Sequence, residues 1–137
     1  MGAEDIGTDP VLNTAGQKSG LEIWRIENFK LKLVPKSQHG SFYEGDAYII
    51  LQTKSIKIRN GEQQFSWNLH FWLGENSSQD EQGTACMYAV GLDESLGGDP
   101  VQYREVQGKE SDLFRSYFKS GVIYQKGGIS SGFKGKC

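Results

Sequence analysis

Residues 47–53 read AYIILQT, a nearly continuous apolar run. A run of that length fits a strand buried on both faces, so the rest of the chain has to cover it from two sides. Downstream, Asn60–Gly61 stands between two β-like flanks and is the strongest short-range hairpin signal in the chain. The strand beyond it continues as SWNLHFWL, in which Trp67, Leu69 and Phe71 alternate with Asn68, His70 and Trp72. Further strands are predicted at LEIWRI from Leu21, at VQYREV with Val101, Tyr103 and Val106 as its apolar positions, and at VIYQK from Val122. The stretch through Pro35 and Gln38–His39–Gly40 reads as loop.

The segment SQDEQGTACMYAVGLDESLGGDP, residues 78–100, predicts a long helix. Ser78 is a good N-cap, and Glu81 three residues later completes a capping box. Asp80 and Glu81 suit the positive end of the helix dipole, and Gly97, Gly98 and Pro100 supply a stop. At about 100° per residue, Ala85, Tyr88, Ala89, Leu92 and Leu96 form one apolar stripe, the core face. Met87 points roughly 150° away from that stripe, and Val90 nearly as far. Asp80, Thr84, Met87 and Gly91 share an outer stripe. An outward Met is either ordinary core under a second covering layer or an adaptable anchor for a partner's groove. The pair Asp93 and Glu94, unfavourably placed at the negative end of the dipole, would gain from a bound cation, although solvation alone also accommodates them. A shorter amphipathic helix is predicted at ESDLFRSYF, from Glu110, with Leu113, Phe114, Tyr117 and Phe118 inward. Strands around a long and a short helix make an α+β domain.

The chain has 137 residues, enough for one domain with a genuine core. A net charge of −2 argues against a protein that coats nucleic acid or anionic membrane. There is no stretch of transmembrane length, and the first residues lack the apolar core of a signal peptide. Cys86 and Cys137 form no disulfide framework, so the cytosol is the expected compartment. Residues 1–19 read as a flexible arm or extended strap, and residues 134–137 as a tail.

Catalytic signals are sparse. His70 falls in a strand at alternating spacing, as a structural histidine would, and His39 falls in a turn. The glycine pairs lack the flanks of a phosphate loop, and Cys and His have no zinc spacing. A hydrolase would need two of the carboxylates in one cleft. A binding domain, not an enzyme, is the expectation.

Several ordered strings carry a more specific signal: GLEIWRIENF at Gly20–Phe29, GDAYIIL at Gly45–Leu51, HFWLG at His70–Gly74, SQDEQGTA at Ser78–Ala85, PVQYREVQG at Pro100–Gly108 and FKSGVIYQKGGISSGF at Phe118–Phe133. Together they resemble the first repeat of the gelsolin, villin, severin and fragmin family, over residues 20–133. The resemblance implies a gelsolin-like α+β domain, with a central mixed sheet between one long and one short helix. It also implies that the long helix wedges into actin between subdomains 1 and 3, at the barbed end. Gln79, Met87, Val90, Asp93, Glu94, Gln102 and Phe133 then match actin-facing positions. Two calcium ions are implied. One is held within the domain by the Gly45 carbonyl, the Asp46 and Glu81 carboxylates and the Ile129 carbonyl. The other is shared with actin, through the Asp93 carboxylate and the carbonyls of Gly98 and Pro100. Serving a metal would draw Glu81 at least partly out of its capping box.

The function implied is calcium-dependent, one-to-one binding of monomeric actin and capping of filament barbed ends in the cytoplasmic cytoskeleton. Severing by this domain alone would be weak, and the domain itself is expected to be a monomer. Three features depart from the usual first repeat: a longer hairpin around Asn60–Gly61, only two lysines in Lys119–Lys126, and Pro100 in place of a small residue at an interfacial carbonyl position, where proline retains the carbonyl. The second gives no ground for assigning phosphoinositide binding. The alternative is a scaffold or self-association module of the same fold without actin affinity.

Overall fold

The computed structural model describes residues 14–127. Its elements are β1 (Gly20–Glu27), β2 (Lys30–Leu33), β3 (Ser41–Tyr43), β4 (Ala47–Lys57), β5 (Gln63–Leu73), α1 (Gln79–Ser95), β6 (Val101–Val106), α2 (Asp112–Ser116) and β7 (Ile123–Gln125), with a 3-10 turn at Lys36–Gln38. The main sheet is ordered β2–β1–β4–β5–β6, which puts β4 at its centre. The β1–β2, β1–β4 and β4–β5 pairs are antiparallel. The β5–β6 pair is parallel, because α1 carries the chain back to the starting end before β6 begins. A two-stranded parallel sheet, β3 with β7, completes the fold.

The apolar run of β4 is explained by its neighbours. Ala47 to Leu51 are all buried. On one side Ala47, Ile49 and Leu51 join Leu69 and Leu73 of β5 against Ala85, Tyr88, Ala89, Leu92 and Leu96. On the other side Tyr48 and Ile50 join Ile23 and Trp72 against Phe42, Phe114 and Phe118. Each large apolar side chain so covered contributes about 1.5–3 kcal/mol relative to exposure, so alternation would have left one layer without its core. The hairpin forms where Asn60–Gly61 predicts it. Gly61 takes φ 87°, and the Asn60 side chain accepts from the Glu62 amide at 3.0 Å.

Five local expectations need correction. Residues 30–33 and 41–43 are strands, not loop. The β1–β2 turn runs through Asn28 and Phe29, both in the left-handed region, a turn that no Asn-Gly pair announces. Thr84 is buried, because it lies one helical turn from both Glu81 and Tyr88 and so at the edge of the core stripe. In β6 the pattern is partly inverted, with Val101 exposed and Glu105 buried. The second helix is capped by Ser111 and starts at Asp112, two residues after Glu110. The end of the expected arm is also part of the body: Ala15 is buried, and the Gly16 carbonyl accepts from Trp67 Nε1 at 2.8 Å. The remaining arm, residues 1–13, lies outside the described residues, as do residues 128–137.

Candidate functional site

Helix α1 carries a different site at each end and a third along its outer face. At its N-terminus the capping box is complete: the Ser78 hydroxyl accepts from the Glu81 amide at 3.1 Å, and Glu81 Oε1 accepts from the Ser78 amide at 3.0 Å. The cap engages Oε1 alone, so Glu81 keeps its capping role while facing Asp46, in the turn just before β4. Both carboxylates are buried, Asp46 fully. Burial, together with the hydrogen-bonded Asp46 carboxylate opposite, pushes the Glu81 carboxyl up to about 7.

The turn that delivers Asp46 is set by a close backbone approach. Gly74, at the end of β5, donates to the Asp46 carbonyl at 3.0 Å, and a Cβ there would stand 2.3 Å from the Glu44 carbonyl oxygen. Only glycine fits. The same turn holds Gly45, whose amide donates to the Gly127 carbonyl at 2.8 Å. Sequence reasoning missed one participant. Arg25 of β1 brings both Nε and Nη2 to Asp46 Oδ2 at 2.7 Å, and its guanidinium lies 4.4 Å from the Tyr43 ring centroid. The signal for it was a lone arginine inside the apolar string LEIWRI.

These residues suit a hard divalent cation. Two buried carboxylates held against each other, one of them raised by burial and by its neighbour, would gain from a bound cation. Among the described residues no three His, Cys, Asp or Glu side chains converge, so backbone carbonyls such as that of Gly45 would have to complete the shell. Ile129, the other carbonyl implied by the resemblance, lies outside the described residues.

At the C-terminal end of α1, Gly97 and Gly98 take φ of 78° and 77°, and the Gly98 amide donates to the Asp93 carbonyl at 2.8 Å. Gln102 of β6 donates to Asp93 Oδ2. Asp93 Oδ1 is buried and has no hydrogen-bond partner among the described residues. An orphaned carboxylate oxygen beside helix-end carbonyls also suits a cation. Gly98 and the buried Pro100 lie on the chain segment between Asp93 and β6.

Between the two ends, Gln79, Gly83, Cys86, Met87, Val90 and Glu94 are exposed on one face. Met87 and Val90 each keep 46% of their surface, and none of the described chain forms a second layer over them. Of the predicted partner-facing residues, Gln79, Met87, Val90 and Glu94 share this face, with Asp93 and Gln102 joined at its C-terminal edge. Phe133 lies outside the described residues.

The histidines do not form a reactive centre. His70 is fully buried, 2.7 Å from Glu105 Oε2 through Nδ1 and 2.7 Å from the Tyr117 hydroxyl through Nε2. Burial lowers its pKa. His39 contacts the Val34 carbonyl within its turn. The paired carboxylates Asp46 and Glu81 are both buried.

Layering, topology and the acidic helix ends define the class: a small α+β domain of gelsolin-like architecture, presenting one bare helix face. Comparison with known proteins agrees. Residues 28–115 match the Gelsolin repeat family, and the chain belongs to that family. It is 54% identical over 125 residues to the "Actin depolymerising venom protein gelsolin 1" of Platymeris rhadamanthus, covering 91% of this chain and 33% of that protein. It is 55% identical over 124 residues to the cytoplasmic gelsolin of Homarus americanus, covering 90% and 16%. Villin-2 of Arabidopsis thaliana is 55% identical over 126 residues, covering 92% and 12%. The chain thus spans a third or less of the length of these relatives. Among solved structures it is similar in fold to a chain of the Thorarchaeota 2DGel3 complex with rabbit actin, at TM-score 0.59 and 21% identity, over 77% of this chain and 45% of that one.

Proposed function

We propose that this domain binds monomeric actin one-to-one through the outer face of α1, and caps filament barbed ends by covering them, in the cytoplasmic cytoskeleton. The observation that carries the reading is the exposure of Met87 and Val90 on a helix whose opposite face already owns a complete core. Exposed apolar residues ringed by Gln79, Asp93, Glu94 and Gln102 have the anatomy of an interface, with a dry centre and a polar rim. The relatives support actin as the occupant, one being named for actin depolymerisation, and the similar structure is a complex with actin.

In this reading Asp46, Glu81 and the Gly45 carbonyl hold one calcium ion, and Asp93 with the Gly98 and Pro100 carbonyls holds another at the actin contact. Calcium supplies positive charge and nothing else. The rest is done by the chain. Gly74 fixes the turn that presents Asp46, the Ser78 cap fixes Glu81, and Gln102 orients Asp93 at the edge of the apolar face. Because actin and the second ion would share a boundary, each should raise the affinity for the other.

Size-exclusion chromatography with monomeric actin, in calcium and in chelator, tests the proposal. A one-to-one complex in calcium that weakens in chelator is the expected result. Met87→Asp should abolish it, because burying an unpaired carboxylate costs several kcal/mol, while the exposed position leaves the fold intact. Wild-type protein that never co-elutes with actin would leave the scaffold reading in its place.

A further inference from the structure

Among the described residues, nothing in the fold requires the glycine at position 83. Five other described glycines have open space where a Cβ would stand: Gly20, Gly61, Gly98, Gly108 and Gly121. All five have positive φ, which accounts for them by backbone conformation alone. Gly74 and Gly16 are accounted for the other way, since a Cβ there would collide with the Glu44 carbonyl or with the Trp67 ring nitrogen. Gly83 has neither reason. It lies within α1 with no positive φ, and a Cβ added to it would meet nothing within 4 Å. Glycine inside an exposed helix is less stable than alanine, so the domain gives up stability here and gains no packing from it.

What surrounds Gly83 points outward. One turn before it lie Gln79 and Asp80, and one turn after it lie Cys86 and Met87, with Val90 beyond; all are exposed. The bare backbone at Gly83 is therefore a notch in the apolar face, flanked by the side chains best placed to grip a partner. We infer that Gly83 is a specificity-determining residue: the partner's surface descends into this notch and packs against the α1 backbone, where any side chain would hold the two proteins apart. The inference rests on the reading of this face as the actin contact. It adds a requirement of shape, close approach at one residue, to the apolar and acidic chemistry already described.

The test separates binding from folding. Gly83→Ala and Gly83→Leu both introduce good helix formers into open space, so both variants should melt above wild type, by about 2–6 °C for alanine. Their actin affinity, measured by titration against labelled monomeric actin in calcium, should move the other way. A loss of at least about tenfold is expected for alanine and a larger one for leucine, as in overpacked contacts. A variant that is more stable and a weaker binder is a result that a purely structural glycine cannot give. Met87→Asp runs beside them as the control for the face itself. If it loses binding while both Gly83 variants bind like wild type, the notch is overturned and the face stands. If Met87→Asp binds like wild type, the face is overturned and the notch with it. A fall in melting temperature for Gly83→Ala would also overturn the inference, because the fold would then need that glycine.

Discussion

The two layers of the main sheet treat buried carboxylates in opposite ways. On the α2 side the buried carboxylates Glu105 and Glu110 are both answered within the domain. Glu105 accepts from the Ser111 amide and hydroxyl, each at 2.7 Å, and meets His70. Glu110 accepts from Trp72 Nε1 at 2.8 Å, from the Tyr124 hydroxyl and from Arg115. Although burial alone would raise the Glu110 pKa, those donors from Trp72, Tyr124 and the local backbone hold it below the usual carboxylate range. On the α1 side Asp46 and Glu81 face each other beside one guanidinium, and Glu81 is pushed up to about 7. Asp93 keeps a buried oxygen without a partner among the described residues. One layer spends its polar groups on the fold, and the other keeps part of that capacity for something outside it.

The contrast can be broken most directly at Glu110. Glu110→Ala should destabilise the domain by about 2–4 kcal/mol in urea unfolding, because Trp72 Nε1 and the Tyr124 hydroxyl lose a shared acceptor. A loss below about 1 kcal/mol would mean that water replaces the carboxylate and that this layer is not closed.

Acid should weaken the α2 side, while the raised Glu81 carboxyl on the α1 side acts in the opposite sense. The lowered pKa of His70 means that the unfolded chain binds the extra proton first, so stability falls as pH drops below about 6.5. The depressed Glu110 carboxyl contributes stability that is present above about 4.5 and is lost as pH falls through its folded value. Between pH 7 and 5.5 the raised Glu81 carboxyl, which adds stability as pH falls, opposes His70. The clear decline in urea midpoint is therefore expected between pH 4.5 and 3.5, and Glu110→Gln should flatten that step. A midpoint that rises between pH 4.5 and 3.5 would reverse the assignment.

The smallest expected effect is the most telling for the α1 side. Glu81→Gln preserves the capping-box geometry and removes the charge that faces Asp46, so stability in chelator should change by less than about 1 kcal/mol, or rise. If Glu81 holds calcium as proposed, added calcium should raise the melting temperature of wild type and do so far less for this variant. A large destabilisation in chelator would place Glu81 with Glu110, as a group the fold itself requires.

What the sequence disclosed depended on how local the cause was. The capping box at Ser78, the stripe Ala85–Tyr88–Ala89–Leu92–Leu96, the outward Met87 and Val90 and the two-faced β4 are set by neighbours a few residues away, and all stand as read. Strands β2 and β3 are too short for period-2 alternation to mark them, and β3 is secured by pairing with the distant β7. Glu105 looked like a solvent-facing strand residue because its partners, His70 and Ser111, come from other elements. The Arg25–Asp46 pair joins residues 21 apart and leaves no periodic trace. The pairing of Asp46 with Glu81 was reached through family resemblance; spacing alone did not give it.

The β5–α1–β6 crossover has a consequence for how this surface can change over time. Both ends of α1 are tied to neighbouring parallel strands, and its inner stripe is fixed by β4 and β5. The residues that face outward touch almost none of that framework. Substitutions at Gln79, Gly83, Met87 or Val90 can therefore accumulate, and even reverse the chemistry of the surface, while the interior is inherited unchanged. Recognition and folding are separately heritable here, so copies of this architecture can diverge in what they hold without first having to be rebuilt.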